Sequence, residues 1–243
     1  MILIVGRYAE PNRARASEFY RCLARNCSCA HIKQIYVIRE TQDIVIPQHP
    51  KIVPFALDSR LTYELAFRFA NVEAPDSRVI LANADIWFDE SLGALDGFDL
   101  SGRLLCLSRW EPGPGRSELS PHSNSQDAWI FQTPLREFPC GWALGVCACD
   151  NRLAFEANRA GLLVSNPSRT IRANHLHLSG IRRWTYEEQV PGSHLYLPAV
   201  HLGNGIPRRC TCVSVAFPNE GTVHWQGCPI SMWNDIQAKG TDD

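Results

Sequence analysis

The chain has 243 residues, of which 45% are hydrophobic and 20% are charged, and its formal net charge is -1. This length and composition are typical of a globular protein with one large domain or two small ones. Because there is no basic excess to attract polyanions, we expect neither nucleic acid nor a charged membrane surface as a partner.

The first seven residues form an apolar run that is too short for a signal peptide and that has no cleavage site. The sequence also contains no stretch of the length needed to span a membrane. We therefore expect a cytoplasmic protein whose ten cysteines are mostly reduced and buried. Three cysteine pairs have the spacing Cys-x-Cys without a histidine cluster, which argues against a structural zinc site: Cys27/Cys29, Cys147/Cys149 and Cys210/Cys212.

The first part of the chain alternates predicted strands and helices, an order typical of parallel βαβ units. Apolar runs predict strands at residues 2–5, 35–38, 52–55 and 79–86, and helical periodicity predicts helices at 11–26 and 62–71. We therefore expect an α/β fold with a mixed, mostly parallel sheet flanked by helices.

The second part is less regular. Strands are predicted at 104–109, 128–131 and 162–164, with a helix at 150–160 and a loop rich in Pro, Gly and Ser at 111–124. Pro and Gly are frequent beyond Trp184, and the tail after Asn234 is expected to be loose. With no repeat and no clear linker, we expect a single domain over residues 1–243, with an irregular C-terminal extension over 186–243.

A short polar patch, Asn83-Ala84-Asp85, interrupts the apolar run at the end of the central strand. A buried carboxylate there needs a partner, and ligands of α/β proteins bind at the carboxyl ends of the strands. If Asn83 and Asp85 lie two apart on one strand, both point to one face and form half a site for Mg²⁺ or Mn²⁺. The alternative is a structural Asp85 satisfied by a loop; Asp89 more simply caps a short helical turn.

Two histidines, His175 and His177, also have strand spacing and can face the same side to bind a metal. Alternatively, one of them is a core histidine held by a backbone carbonyl. Arg182 and Arg183 follow closely and suit a ligand that carries phosphate.

Asp127 and Asp150 stand in polar, irregular surroundings where a general base is plausible. For Asp150, a simple helix N-cap is the alternative that the local sequence favours. Gly141 and Gly145 suggest a close approach of backbone near a ligand. No nucleophile elbow, phosphate-binding loop or dinucleotide fingerprint occurs in the sequence.

Taken in order, these features resemble the nucleotide-sugar-dependent glycosyltransferases of the GT-A fold. The helix with Glu18, Cys22, Leu23 and Asn26 is similar to the opening unit of that family. Asn83-Ala84-Asp85 stands where the family has its acidic DxD motif, with Asn83 in place of the first carboxylate. Residues 145–151 resemble the glycine turn and acidic motif that present the catalytic base.

The resemblance implies a transfer of sugar from a nucleotide-sugar donor to a carbohydrate or lipid-linked acceptor, as in polysaccharide biosynthesis. It implies a divalent cation, Mn²⁺ or Mg²⁺, bound by Asp85 with His175 or His177, and a base supplied by Asp150 or Asp127. By position, the donor-binding residues would be Arg7, Tyr8, Asn83, Asp85 and Arg182. Residues 1–110 would form the donor-binding half, and residues 111–185 the acceptor and catalytic half.

Two other functions remain open from the sequence. Asp85, His175 and His177 could serve a metal-dependent phosphoester hydrolase or nucleotidyltransferase. Alternatively, the substitution of a carboxylate by Asn83 favours a carbohydrate- or partner-binding domain without catalysis.

Overall fold

The computed structural model describes residues 1–113, 115–181 and 185–203, together with a short antiparallel pair of strands at Val215–Ala216 and Val223–His224. The helices are α1 (Arg13–Ser28), α2 (Tyr63–Glu73) and α3 (Cys149–Arg159), with 3-10 helices at Glu90–Leu95 and Tyr186–Glu188. The first strands are β1 (Ile2–Arg7), β2 (Gln34–Arg39), β3 (Ile52–Ala56), β4 (Arg78–Ala82) and β5 (Ile86–Phe88). The later ones are β6 (Arg103–Leu107), β7 (Arg109–Pro112), β8 (Ser117–Leu119), β9 (Ala128–Gln132), β10 (Leu163–Ser165) and β11 (Ala173–His175).

Seven strands form the main sheet, in the order β10-β6-β9-β4-β1-β2-β3. All neighbouring pairs are parallel except those of β9, which runs antiparallel to both β4 and β6. The predicted fold class, a mixed and mostly parallel sheet flanked by helices, is therefore confirmed.

Alternating residues of the central strands build two cores, one on each face of this sheet, because successive side chains of a strand point to opposite sides. Ile4 and Leu81 pack with α2 and α3 on one face. Leu3 and Ile80 pack on the other face with α1 and a second, smaller sheet. The result is a layered arrangement in which the carboxyl edge of the main sheet meets the smaller sheet.

The predicted single strand at 79–86 is wrong, and the error matters for the site. β4 ends at Ala82, residues 83–85 turn, and β5 begins at Ile86 in the smaller sheet. The backbone N–H of Ile86 donates to the carbonyl of Asn83 at 3.1 Å, which closes the turn. Asn83 and Asp85 therefore do not share one strand face.

The smaller sheet has the order β5-β11-β7-β8 and includes parts of the chain that the sequence placed elsewhere. The strand predicted at 104–109 divides into β6 and β7, which belong to different sheets. The predicted loop at 111–124 contributes the end of β7 and all of β8, which pair as an antiparallel hairpin. Pairing of His175 with Ile86 places the predicted histidine pair beside Asp85.

Polar side chains cap the N-termini of α1 and α2, but not that of α3. The side chains of Asn12 and Thr62 accept hydrogen bonds from backbone N–H groups at the starts of α1 and α2, and Asp89 caps the following 3-10 helix as predicted. The N-cap of α3 is instead Ala148, with φ of 59° and no side-chain cap. The interpretation of Asp150 as an N-cap is therefore wrong.

In the part of the chain that the structure covers, no helix has the length and apolar character required to cross a membrane. The seven cysteines placed there are unpaired, and all but Cys147 are buried. The pair Cys210/Cys212 and the tail after Asn234 lie outside the described residues.

Candidate active site

The candidate site lies at the carboxyl edge of the main sheet, where three chain segments end or begin. β4 leads into Asn83 there, and β6 leads into Arg109. Because β9 is antiparallel, its first residue Ala128 pairs with Ala82, so Asp127 reaches the same edge. This is the edge at which open α/β sheets bind their ligands.

Asp85 is the buried centre of the site. Its Oδ2 accepts hydrogen bonds from Arg15 Nη2 and, at 3.1 Å, from His175 Nε2. Burial alone would raise the pKa of Asp85, but the hydrogen bonds and charges of His175 and Arg15 hold it well below its usual value. Asp85 is therefore an ionised carboxylate inside the protein.

His175 lies between two carboxylates. Its Nε2 contacts Asp85, and its Nδ1 lies 2.8 Å from Glu111 Oε2. Burial would lower the pKa of His175, but the hydrogen bonds to Asp85 and Glu111 outweigh it and raise the pKa to about 9. With both ring nitrogens facing acceptors, His175 is an imidazolium in this arrangement.

His177 provides the contrasting imidazole. Its ring meets that of His175 edge-on, with centroids 5.3 Å apart. Its Nε2 is buried and has no hydrogen-bond partner among the residues that the structure describes. Burial and the nearby charge of Arg15 lower the pKa of His177, so this ring is neutral.

These three residues fit a divalent cation. Asp85, His175 and His177 each offer one ligand atom, and the three atoms lie within 4.8 Å of one another. His175 would have to release its Nε2 proton as the metal binds, because a ligating nitrogen needs a free lone pair. Two imidazole nitrogens and one carboxylate oxygen suit a transition metal such as Mn²⁺ better than Mg²⁺, which prefers oxygen ligands. The unpartnered nitrogen of His177 is the kind of buried polar atom that a ligand would satisfy.

Arg15 connects this cluster to α1. In addition to Asp85, its guanidinium donates to Glu18 Oε2 at 2.8 Å. Glu18 in turn accepts hydrogen bonds from the backbone N–H and the hydroxyl of Ser179. The chain that follows His177 is thus held against α1 by the same pair of charges.

Asp127 occupies a second, neighbouring position. Asn83 Nδ2 donates to Asp127 Oδ1 at 3.1 Å, and Arg109 Nη1 donates to Oδ2 at 3.3 Å. Arg109 also binds Glu111, which links Asp127 to the carboxylate that holds His175. Asn83 therefore orients Asp127, and the prediction that Asn83 and Asp85 share one strand face is wrong because residues 83–85 lie between β4 and β5.

Asp150 lies in the first turn of α3 and faces into the protein. Its Oδ2 accepts from the backbone N–H of Gln126 at 2.6 Å, and its Oδ1 accepts from that of Asn151 at 2.9 Å. Burial raises the pKa of Asp150 to about 7, and the negative charge of Asp127 adds to the effect. The charge of Asp127 also raises the pKa of His175, so Asp127 is close enough to influence both groups.

The remaining predicted site residues are farther from this network or outside it. Arg7 is buried against α1, with its guanidinium carbon 5.0 Å from the Phe19 ring centroid and 4.6 Å from that of Tyr20. Tyr8 packs edge-on against Phe19, near Arg15 and Asp85. Arg182 lies outside the residues that the structure describes.

Three residues of the network were not recognised in the sequence: Arg15, Arg109 and Glu111. Arg15 carries a usable signal, because it shares the apolar side of α1 with Phe19 and Cys22, where a charge is unexpected. Arg109 and Glu111 stand two apart, as strand residues that share a face do, but the Pro- and Gly-rich sequence after them hid the strand.

Comparison with known proteins gives no sequence match. No protein-family model matches the chain, and neither does any curated protein.

The chain is similar in structure to several solved proteins. TarS from S. aureus in complex with UDP-GlcNAc aligns with a TM-score of 0.48 and 12% identity, over 72% of this chain and 58% of that one. The mannosyltransferase PcManGT from Pyrobaculum calidifontis, in complex with GDP-Man and Mn²⁺, aligns with a TM-score of 0.47 and 16% identity, over 68% and 54%. A putative nucleotide-diphospho-sugar transferase from Desulfovibrio desulfuricans aligns with a TM-score of 0.42 and 13% identity, over 72% and 81%.

The chain thus spans a little more than half the length of the first two of these proteins. The solved structures similar to it include the class of protein that the sequence resembles. At these identities and TM-scores, the argument for a function has to come from the residues of the site itself.

Proposed function

We propose that this chain is a glycosyltransferase that moves a sugar from a nucleotide-sugar donor to a carbohydrate or lipid-linked acceptor. The observation that carries the proposal is the gathering of Asp85, His175 and His177 at the carboxyl edge of the sheet, on the same edge as the buried carboxyl of Asp150. The cluster around Asp85 suits a diphosphate with its cation, and Asp150 suits the acceptor.

Asp85, His175 and His177 would hold the cation, and of the two ions that the resemblance implies, the imidazole ligands suit Mn²⁺ better than Mg²⁺. When bound, such a cation neutralises the negative charge that develops on a leaving diphosphate. Arg15, buried beside Asp85, supplies a further fixed positive charge at the same place. Tyr8 lies next to Arg15 and remains a candidate for donor binding, as do Arg7, Asn83 and Arg182.

Asp150 is the better candidate for the general base that takes the proton of the acceptor hydroxyl. A base works best when its pKa lies near the working pH, and burial raises the pKa of Asp150 to about 7. Asp127 is the weaker candidate because its two carboxylate oxygens are occupied by hydrogen bonds from Asn83 and Arg109. The negative charge of Asp127 instead helps to raise the pKa of Asp150, because two nearby carboxylates repel each other.

The experiment that tests the proposal incubates the purified chain with UDP-, GDP- and dTDP-sugars in the presence of Mn²⁺ or Mg²⁺. Release of nucleoside diphosphate and the shift of the melting temperature are measured, with Asp85→Ala as the variant and Asp99→Ala, at an exposed position, as its control. We expect one donor class to stabilise the wild type in the presence of Mn²⁺, and we expect this effect to be lost in Asp85→Ala only. No stabilisation by any nucleotide sugar, with or without metal, contradicts the proposal.

One observation favours a second candidate, a carbohydrate-binding domain without catalysis. Arg15 and His175 already satisfy the charge of Asp85, so the ion-pair network is complete without a cation. This candidate predicts binding of nucleotide or sugar with no release of nucleoside diphosphate under any metal condition. Hydrolysis of a phosphoester without an acceptor sugar would instead identify the site as that of a metal-dependent hydrolase.

A further inference from the structure

Arg15 shares one oxygen of Asp85 with His175. Arg15 Nη2 and His175 Nε2 both bind Asp85 Oδ2. All three groups are buried, and the guanidinium therefore stands where it competes with any cation for the same carboxylate. Two positive charges on one buried oxygen repel each other strongly.

The guanidinium of Arg15 can release Asp85 and still be held by its other hydrogen bonds. Its Nη1 is anchored separately, at 2.8 Å from Glu18 Oε2 and 3.4 Å from the carbonyl of Leu176. Glu18 is fixed by two hydrogen bonds from Ser179. The anchor through Nη1 is thus independent of the contact through Nη2, which is the one that has to break.

A diphosphate is the partner that would make this exchange favourable. Guanidinium groups bind phosphate oxygens through paired, charge-assisted hydrogen bonds, and a diphosphate also compensates the charge that a divalent cation adds to the site. Without an anion, entry of a cation leaves Arg15 with Glu18 as its remaining carboxylate and places the guanidinium beside the cation. That state is unfavourable because like charges repel each other strongly in a buried site.

We propose that Arg15 couples the binding of the cation to the binding of the diphosphate, an inference that rests on the proposed function. The guanidinium holds Asp85 in the free protein and transfers its Nη2 contact to a phosphate oxygen when the cation binds Asp85. The cation and a nucleoside diphosphate therefore bind cooperatively, and each binds weakly alone. Because such coupling is reciprocal, the cation improves nucleotide binding by the same factor.

The test is a titration of the full chain with Mn²⁺, followed by electron paramagnetic resonance of the free ion, with and without saturating UDP or GDP. In the wild type we expect the nucleotide to improve the affinity for Mn²⁺ about tenfold or more. In Arg15→Gln, Mn²⁺ alone should bind about tenfold more tightly than in the wild type, and the gain from nucleotide should largely disappear. Arg21→Gln changes an exposed arginine of the same helix and should behave as the wild type.

Several results would overturn the coupling. Equal affinity of the wild type for Mn²⁺ with and without nucleotide contradicts it, and this measurement needs no variant to fold. Affinity in Arg15→Gln that is equal to or weaker than in the wild type also contradicts it, provided that the variant melts cooperatively. Absence of Mn²⁺ binding under all conditions removes both the cation site and the coupling.

The same titration separates this inference from the proposed function. It uses no sugar and no acceptor, so cooperative Mn²⁺ and nucleotide binding without sugar transfer overturns only the transferase. Conversely, sugar transfer with independent binding of Mn²⁺ and nucleotide overturns only the coupling through Arg15.

Discussion

Glu111 Oε2 lies 2.8 Å from His175 Nδ1, and this contact fixes the ring so that its Nε2 faces Asp85. Carboxylates that bind the second nitrogen of a metal-ligating histidine orient the ring and increase its basicity. Glu111 is itself held by Arg109, at 2.5 Å between Nε and Oε1. A carboxylate on the β7–β8 hairpin thus positions a candidate ligand on β11.

We expect Glu111→Gln to weaken the affinity for Mn²⁺ by about 10- to 100-fold, the usual effect of losing such a partner. The amide keeps the size of the side chain, so the change tests the charge and the hydrogen bond. Titration with Mn²⁺ measures the effect, and Glu118→Gln, at an exposed position of the same hairpin, is the control. Unchanged affinity in Glu111→Gln would show that His175 is positioned by other contacts.

Asp150→Asn should lower the rate of sugar transfer by about 10²- to 10⁴-fold and leave donor binding unchanged, since the amide cannot accept the acceptor proton. Rates of nucleoside diphosphate release with acceptor present, together with the melting shift caused by the donor, separate the two effects. Transfer at the wild-type rate would remove Asp150 as the base and return the role to Asp127. Asp99→Asn, at an exposed position, serves as the control.

The pH dependence of transfer should report the same carboxyl group. Because burial raises the pKa of Asp150 to about 7, we expect kcat/KM to rise with pH through this value as the base ionises. The titratable neighbours Tyr63 and Cys149 do not interfere, because burial raises the pKa of Tyr63 well above its usual value and that of Cys149 to about 12. A profile that is flat between pH 5 and pH 8 would contradict this assignment.

Stability should depend on pH in the opposite sense. The pKa of Asp150 is about 7 in the folded protein and 3.8 when it is unperturbed, so the folded state binds more protons between these values. Its contribution to the free energy of unfolding is therefore fully present below pH 3.8 and is lost as the pH rises to about 7. Asp150→Asn removes this dependence.

Melting temperatures of the two proteins at pH 5 and pH 8 measure the effect. We expect the melting temperature of Asp150→Asn, relative to that of the wild type, to be higher at pH 8 than at pH 5. Asp150→Asn can also lose a hydrogen bond from Gln126 or Asn151, but that loss affects stability equally at pH 5 and at pH 8. The change in the stability difference between the two pH values therefore still reports the titration of Asp150. An equal difference at pH 5 and pH 8 would mean that Asp150 titrates near its ordinary pKa.

The main sheet could be predicted from the sequence because its strands carry continuous apolar runs. Val79 to Ala82 of β4 is such a run, but Ile86 to Phe88 of β5, in the smaller sheet, is also apolar. The local sequence does not show whether one strand continues through Asn83-Ala84-Asp85 or two strands in different sheets meet there. The difference lies in the strands with which each part pairs. β4 pairs with β1 and β9, whereas β5 pairs with β11, about ninety residues later in the chain.

The candidate site was predictable to the same extent. Asp85 and the two histidines have residue types and spacing that indicate a metal ligand, and the structure brings them together. Arg15 and Glu111 were missed because their importance comes from contacts across 70 and 64 residues of sequence. The role of Asn83 was misjudged for a local reason: the turn at 83–85 directs its side chain to Asp127.

Asn26 holds β5, and with it Asp85, against α1. It is buried in α1, its Nδ2 donates to the carbonyl of Ile86 at 2.9 Å, and its Oδ1 accepts from the backbone N–H of Phe88 at 2.9 Å. These two bonds satisfy backbone groups on one edge of a three-residue strand, and β11 pairs with its other edge.

Asn26→Ala should lower the free energy of unfolding by about 2–4 kcal/mol, because it leaves two buried backbone groups without partners. Urea unfolding measures this loss, and Ser28→Ala, at an exposed position on the same helix, should change stability by less than about 0.5 kcal/mol. We also expect Asn26→Ala to weaken Mn²⁺ binding under conditions where the protein is still folded, because β5 then holds Asp85 less firmly. Lost stability with unchanged Mn²⁺ affinity would mean that the turn at 83–85 alone positions the carboxylate.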